Sequence, residues 1–142
     1  MSKISYIKYH HTYKYELARQ YKLQTSIVNH NVDIRYLELD PLGVLTIHQG
    51  YKWDGPSGPT FDTKNFMRGS LVHDALYQFF RMREVNVKKY RKYADQLLRE
   101  ICIQDGMSSI RAWWVYYAVR IGSKKSGKPG TQFKVADTMT AP

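Results

Sequence analysis

The hydrophobic pattern of this chain changes period once, between Trp53 and Thr63, and that change limits the fold more than any composition figure does. Before it, the run from Tyr6 to Trp53 favours strands, with alternation in Asp33-Ile-Arg-Tyr-Leu-Glu-Leu39 and in Val44-Leu-Thr-Ile47. After it, apolar residues recur every three or four positions as far as Gly122. A period of two sends side chains to alternate faces of a strand, whereas a helical period lines one side of a helix. The expected fold is therefore α+β: N-terminal antiparallel strands with a hairpin, packed on a three-helix unit.

Local signals place the elements. Asp40-Pro-Leu-Gly43 separates two strand-like runs; proline presets φ at the second place and glycine closes the turn, so a hairpin is expected. Tyr13 to Val28 should add another strand or two. The first helix carries Leu71, Val72, Ala75, Leu76, Phe79 and Phe80 on one stripe. The second shows Val87, Tyr90, Ala94, Leu97, Leu98 and Ile101, with Asn86 as N-cap and Gly106 as its end. In the third, capped by Ser108 or Ser109, the stripe Ile110, Trp113, Trp114, Tyr117, Ala118 and Ile121 is expected to face the core. The organisation read from these signals is one α+β domain over residues 1–122. Residues 1–53 are mainly strands, 54–62 a loop and 63–122 three helices, with a basic mobile tail at 123–142. There are no internal repeats.

A length of 142 residues suits one domain with a real core. The single cysteine, Cys102, excludes an internal disulfide. No apolar run reaches about eighteen residues and no charged-then-apolar leader is present, so neither a transmembrane segment nor a signal peptide is expected. The net charge of +10 favours polyanionic partners. An anionic lipid or membrane surface, or an acidic virion or host protein, fits that charge. Nucleic acid fits it less well, because no groove-reading motif is present. The oligomeric state is not set by the sequence.

Candidate chemistry centres on His73-Asp74. On a helix, His73 borders the apolar stripe, with Gly69 one turn before and Tyr77 one turn after. Glycine there would let another backbone or a substrate approach closely. On the second helix Asp95 lies beside the apolar stripe, where a carboxylate is costly to bury without a partner. Two antiparallel helices would bring it to His73, fixing one imidazole nitrogen and leaving the other free to take a proton from water. Tyr77 could donate a second hydrogen bond to Asp95. A structural pairing of Asp95 with Arg91 or Arg99 stays open beside this, as does a simple surface His-Asp pair. Upstream, the carbonyls of Trp53, Gly55 and Ser57 alternate along Trp53-Asp-Gly-Pro-Ser57 and could converge on a hard cation such as calcium, with Asp74 adding a carboxylate and Asp54 a further ligand. An ordinary Gly-Pro turn is the simpler reading of that loop.

The combination of Tyr51-Lys-Trp-Asp-Gly-Pro56, His73-Asp-Ala-Leu-Tyr77 and Tyr93-Ala-Asp95 resembles the phospholipase A(2) type of His-Asp helix enzyme, especially the disulfide-free form carried in parvovirus capsid proteins. A closer resemblance, covering most of residues 50 to 122, is to an uncharacterised phage-encoded family, domain of unknown function number 1353. Its pattern runs Asp-Gly-x-Ser-x-Pro, His-Asp-x-Leu-Tyr, then Ala-Asp. The phage resemblance implies a viral protein, in the virion or the host cytoplasm, without an established activity. The phospholipase resemblance implies a calcium-dependent lipid-ester hydrolase. His73 would be the general base, with Asp95 and Tyr77 orienting it. Asp74 and the carbonyls of Trp53, Gly55 and Ser57 would hold calcium, and the Gly55 N–H would help stabilise the oxyanion. Two departures stand out: Asp54 occupies a place that is usually apolar or cysteine, and the N-terminal strands have no parvoviral counterpart.

Two other functions compete. One is a non-catalytic phage module, a virion or tail component or a host-factor binder, that keeps the fold without activity. The other is a His-Asp metal phosphohydrolase, which needs an earlier helical histidine. The available ones, His10, His11, His30 and His48, all fall among the strands.

Overall fold

The computed structural model describes residues 3–8, 15–54 and 63–122. The chain divides between Gly55 and Pro56 into two compact units, one of strands and one of helices, giving the expected α+β class.

The strand unit contains β1 (Tyr6–Lys8), β2 (Tyr15–Leu17), β3 (Tyr21–Gln24), β4 (Val32–Ile34), β5 (Leu37–Leu39), β6 (Val44–Ile47) and β7 (Lys52–Trp53). All pairings are antiparallel, in one sheet ordered β1-β2-β7 and another ordered β3-β6-β5-β4. The two sheets share a ribbon. Counting along both strands from Tyr15↔Trp53 leads to Tyr21↔Ile47 without an inserted residue. Between them, the Leu17 amide donates to the Tyr51 carbonyl at 2.7 Å and the Gly50 amide to the Leu17 carbonyl at 2.8 Å. Odd-numbered positions therefore face inward along this ribbon and on β5: Tyr15, Leu17, Tyr21, Leu37, Leu39, Leu45, Ile47, Tyr51 and Trp53 are all buried, while β4 turns the even-numbered Val32 inward opposite Leu39.

The Asp40–Gly43 hairpin forms as expected. The Gly43 amide donates to the Asp40 carbonyl at 3.0 Å, and the Asp40 carboxylate accepts from the amides of Leu42 and Val44 at 3.0 and 2.9 Å. The single strand expected across Asp33–Leu39 is instead two strands. Arg35-Tyr36 turns the chain, with Tyr36 at φ 69, so that Ile34 pairs with Leu37. The inward parity changes from even (Val32) to odd (Leu37 and Leu39) across this two-residue turn, and the apolar Tyr36 within the turn covers the change, which is why the hairpin reads as one strand.

The helical unit comprises α1 (Lys64–Arg81), α2 (Val87–Gln104) and α3 (Ser109–Gly122). Asn86 caps α2 by accepting from the Lys89 amide at 2.9 Å. At its other end the amides of Gly106 and Met107 donate to the carbonyls of Ile103 and Cys102 at 3.0 and 2.9 Å. That 6→1 and 5→2 pair defines a Schellman motif, and Gly106 meets its left-handed requirement at φ +100. Met107 and Cys102 are both buried in the helical core, the apolar contact that usually accompanies this ending. Ser108, not Ser109, caps α3, accepting from the Arg111 amide at 3.2 Å.

The third-helix stripe is where the structure departs from the sequence reading. Ile110, Trp113, Trp114, Tyr117 and Ile121 are exposed, at 74, 44, 64, 46 and 77 %. The face turned inward is Ala112, Val115 and Val119, which joins Phe66, Leu98, Cys102 and Met107. Both faces of α3 carry an apolar row at helical spacing, and the row of small residues is the one that lets the helix sit close to α2.

Candidate active site

α1 and α2 are joined by the five residues 82–86 and run antiparallel, which brings the middle of one to the middle of the other. Gly69 sets their approach. A Cβ at Gly69 would lie 2.9 Å from Cys102 Sγ, 2.9 Å from Leu98 Cδ1 and 3.3 Å from the Leu98 carbonyl oxygen. The neighbour that Gly69 admits is thus α2. One turn further along α1 the gap is filled by polar groups.

His73 Nε2 lies 2.7 Å from Asp95 Oδ1, and the Tyr77 hydroxyl donates to the same oxygen at 2.6 Å. Asp95 is wholly buried, and His73 and Tyr77 are 7 and 2 % exposed. The rings of His73 and Tyr77 lie 4.2 Å apart between centroids, so each restricts the other's rotation. The three residues proposed as base and orienting groups are therefore together.

The second carboxylate oxygen has a partner that sequence reasoning missed. Arg120 Nη1, from the last turn of α3, donates to Asp95 Oδ2 at 2.8 Å. Arg91, one turn before Asp95 on α2, stands 3.9 Å from Oδ2 and donates to the Arg120 carbonyl at 3.4 Å. Arg99, the other arginine considered, is exposed. The signal for Arg120 was present: α3 carries two charged residues, and both reach back into the bundle. Arg111 donates to Thr63 Oγ1 at 3.0 Å, much as Arg120 serves Asp95.

These contacts decide the protonation pattern. Burial by itself would raise the Asp95 pKa, but the hydrogen bonds from His73 and Tyr77, the positive side of His73 and the Arg120 guanidinium outweigh it and hold the carboxyl below its usual range. An ionised carboxylate only accepts, so His73 Nε2 must carry the proton that it shares with Oδ1. In its neutral form the imidazole would have its lone pair on Nδ1, which has no hydrogen-bond partner among the described residues. Tyr77 is fixed as a donor: burial, followed by its bond to Asp95 and that residue's charge, pushes its hydroxyl far above the ordinary tyrosine value. The arrangement can hold an imidazole in one tautomer, stabilise it once protonated, and present Nδ1 as a base.

The residues named for calcium are distributed differently. Asp74 is half-buried on α1. Trp53, buried, and Asp54, exposed, belong to the strand unit, while Gly55 and Ser57 lie outside the described residues. Among the described residues no three His, Cys, Asp or Glu side chains gather in a metal-binding cluster. Of the other histidines, His48, just after β6, pairs with Glu38 on β5, and His30 Nδ1 is 2.8 Å from the Val28 carbonyl. His10 and His11 are outside the described residues, as is the 123–142 segment. No described helix is long and apolar enough to cross a membrane.

Comparison with known proteins gives one match. The family model described as "Protein of unknown function (DUF1353)" matches residues 31–119, a span that includes β4 to β7, His73, Tyr77 and Asp95 and stops one residue short of Arg120. No curated protein and no solved structure matches the chain.

Proposed function

The chain belongs to that family of unknown function, and from the geometry around Asp95 we propose that it is a hydrolase of lipid esters, of the phospholipase A(2) type. The observation that supports the reading is the 2.7 Å contact between His73 Nε2 and an ionised, buried Asp95, with Nδ1 left without a hydrogen-bond partner among the described residues. In this reading His73 Nδ1 removes a proton from water as the water oxygen attacks the ester carbonyl, and the imidazolium returns that proton to the departing alkoxide as the ester C–O bond breaks. Asp95 stabilises the resulting imidazolium and Tyr77 keeps the carboxylate in line.

Calcium belongs to the proposal. The donors named for it, the carboxylates of Asp74 and Asp54 and the carbonyls of Trp53, Gly55 and Ser57, are all oxygen, which suits a hard cation. Asp74 and Asp54 both have interactions within the chain, so an ion would take them over from existing partners. Once bound, such an ion supplies positive charge for the oxyanion. The phage origin implied by the closer resemblance completes the reading, with the virion or host cytoplasm as the setting.

The test is fatty-acid release from mixed phospholipid vesicles, with calcium and then with a chelator. Release that depends on calcium and is lost in folded His73→Gln supports the reading. Absence of release under both conditions, from protein with native circular dichroism, overturns it.

One observation favours a second reading, a non-catalytic phage virion, tail or host-binding module. Arg120 closes the Asp95 network with an ion pair that a base-orienting carboxylate does not require, and it does so from the helix that exposes an apolar row. Under that reading His73→Gln leaves partner binding unchanged.

A further inference from the structure

We propose that α3 is an interfacial helix that docks the protein on an anionic phospholipid surface. The surface takes its identity from the lipid-ester reading, on which this inference rests, but the contact itself is argued from α3.

Ile110, Trp114, Tyr117 and Ile121 follow one another at steps of four, three and four, so they stand in a single row along the helix. Trp113 flanks the row, its ring 5.4 Å from that of Trp114 and 4.4 Å from that of Tyr117. The row lies opposite Ala112, Val115 and Val119, which already serve the core. Among the described residues, none of the row joins the helical core cluster. The aromatic residues are in the middle and the most exposed aliphatic ones at the ends, Ile110 at 74 % and Ile121 at 77 %.

Charge selects the occupant. α3 has no acidic residue. Arg91 reaches the carbonyl of Arg120 in its last turn, and Lys88, Lys89 and Lys92, in the adjoining turns of α2, are all exposed. With a net charge of +10 on the chain, a second copy laid on this row would bring like charge to like charge. An anionic bilayer brings the opposite charge. It also offers an apolar layer for the isoleucines and a headgroup zone where the mixed character of Trp and Tyr is favoured. Single-stranded nucleic acid could stack on the rings but would leave both isoleucines in water.

The experiment uses the full chain carrying His73→Gln, so that vesicles stay intact and docking is read apart from turnover. Co-sedimentation is measured with phosphatidylcholine vesicles with and without phosphatidylglycerol, together with tryptophan emission. Binding that requires phosphatidylglycerol, weakens with salt and shifts emission to the blue is expected. The combined substitutions Ile110→Ser, Trp114→Ala and Ile121→Ser, which leave the inward row untouched, should weaken it by at least about tenfold at unchanged circular dichroism. The single change Trp114→Ala should give a smaller loss in the same direction. Four results overturn the proposal: no binding to either vesicle, equal binding by the triple variant, a dimer in sedimentation velocity that the triple substitution dissolves, or binding of a single-stranded oligonucleotide in place of vesicles. A protein that docks but releases no fatty acid from vesicles in its native form would reject the hydrolase alone.

Discussion

Tyr77 donates to the very oxygen of Asp95 that His73 shares, at 2.6 Å, although the two residues lie on different helices. Tyr77→Phe removes that donor and leaves the ring in place. A hydrogen bond to a buried charged group is worth about 1.5–3 kcal/mol, so a loss of that order is expected in urea unfolding. If His73 is a base, turnover should fall as well with KM little changed, because orientation and not substrate contact is lost. Unchanged stability would show that Tyr77 does not hold the carboxylate.

Acid should weaken the fold through Asp95. Its carboxyl is held below the ordinary value of 3.8 in the folded chain, so the unfolded state binds the proton more readily. The stabilisation is present in full above that ordinary value and is lost as pH falls through the lower, folded one. Urea midpoints measured downward from pH 6 should therefore drop most steeply below about pH 4. Asp95→Asn should start less stable and show a shallower acid dependence. An equal slope in both proteins would assign the acid sensitivity to other carboxyls.

Gly69→Ala sets two magnitudes against each other. In an exposed helix the change gains about 1 kcal/mol. Here the added methyl meets two side chains at 2.9 Å in a closed core, where overpacking costs about 1–3 kcal/mol. Net destabilisation is expected, with reduced turnover if the site is catalytic, because α2 also carries Asp95. A more stable protein would mean that the helices have slack.

Arg120→Gln leaves Asp95 with its His73 and Tyr77 bonds but without its charged partner. Arg120 is about a quarter exposed, its side chain at 27 %, so the loss should lie below that of a fully buried pair, at about 1–3 kcal/mol. Thermal unfolding checks this. The same variant separates the two functional readings: a hydrolase should keep measurable turnover, since Arg120 contacts the oxygen remote from His73.

Much of this was legible in the chain itself. The helix boundaries, the Asn86 cap and the Gly106 ending follow from chemistry local to a few residues. His73 and Asp95 could be paired because each borders an apolar row on neighbouring antiparallel helices. What was not legible depended on choices between equivalent patterns. Arg35-Tyr36 prolongs the polar-apolar alternation of β4 into the turn, and only Leu37 breaks it. On α3, the row of large residues looked like the core, yet the small row Ala112, Val115 and Val119 fits the space beside α2. Hydrophobicity ranks the two rows the wrong way round; volume ranks them correctly. Arg120 followed from the same choice, since its direction is known only once the inward face of α3 is.

The strand ribbon carries a constraint of another kind. Its count runs unbroken from Tyr15↔Trp53 to Tyr21↔Ile47 through the irregular stretch at 18–20 and 48–50. Those six positions are irregular in conformation but not in number. A residue deleted from one side must be matched by one deleted from the other; otherwise the inner and outer faces exchange in one of the two sheets. Chain length, more than side-chain identity, is what heredity has to preserve at that bend.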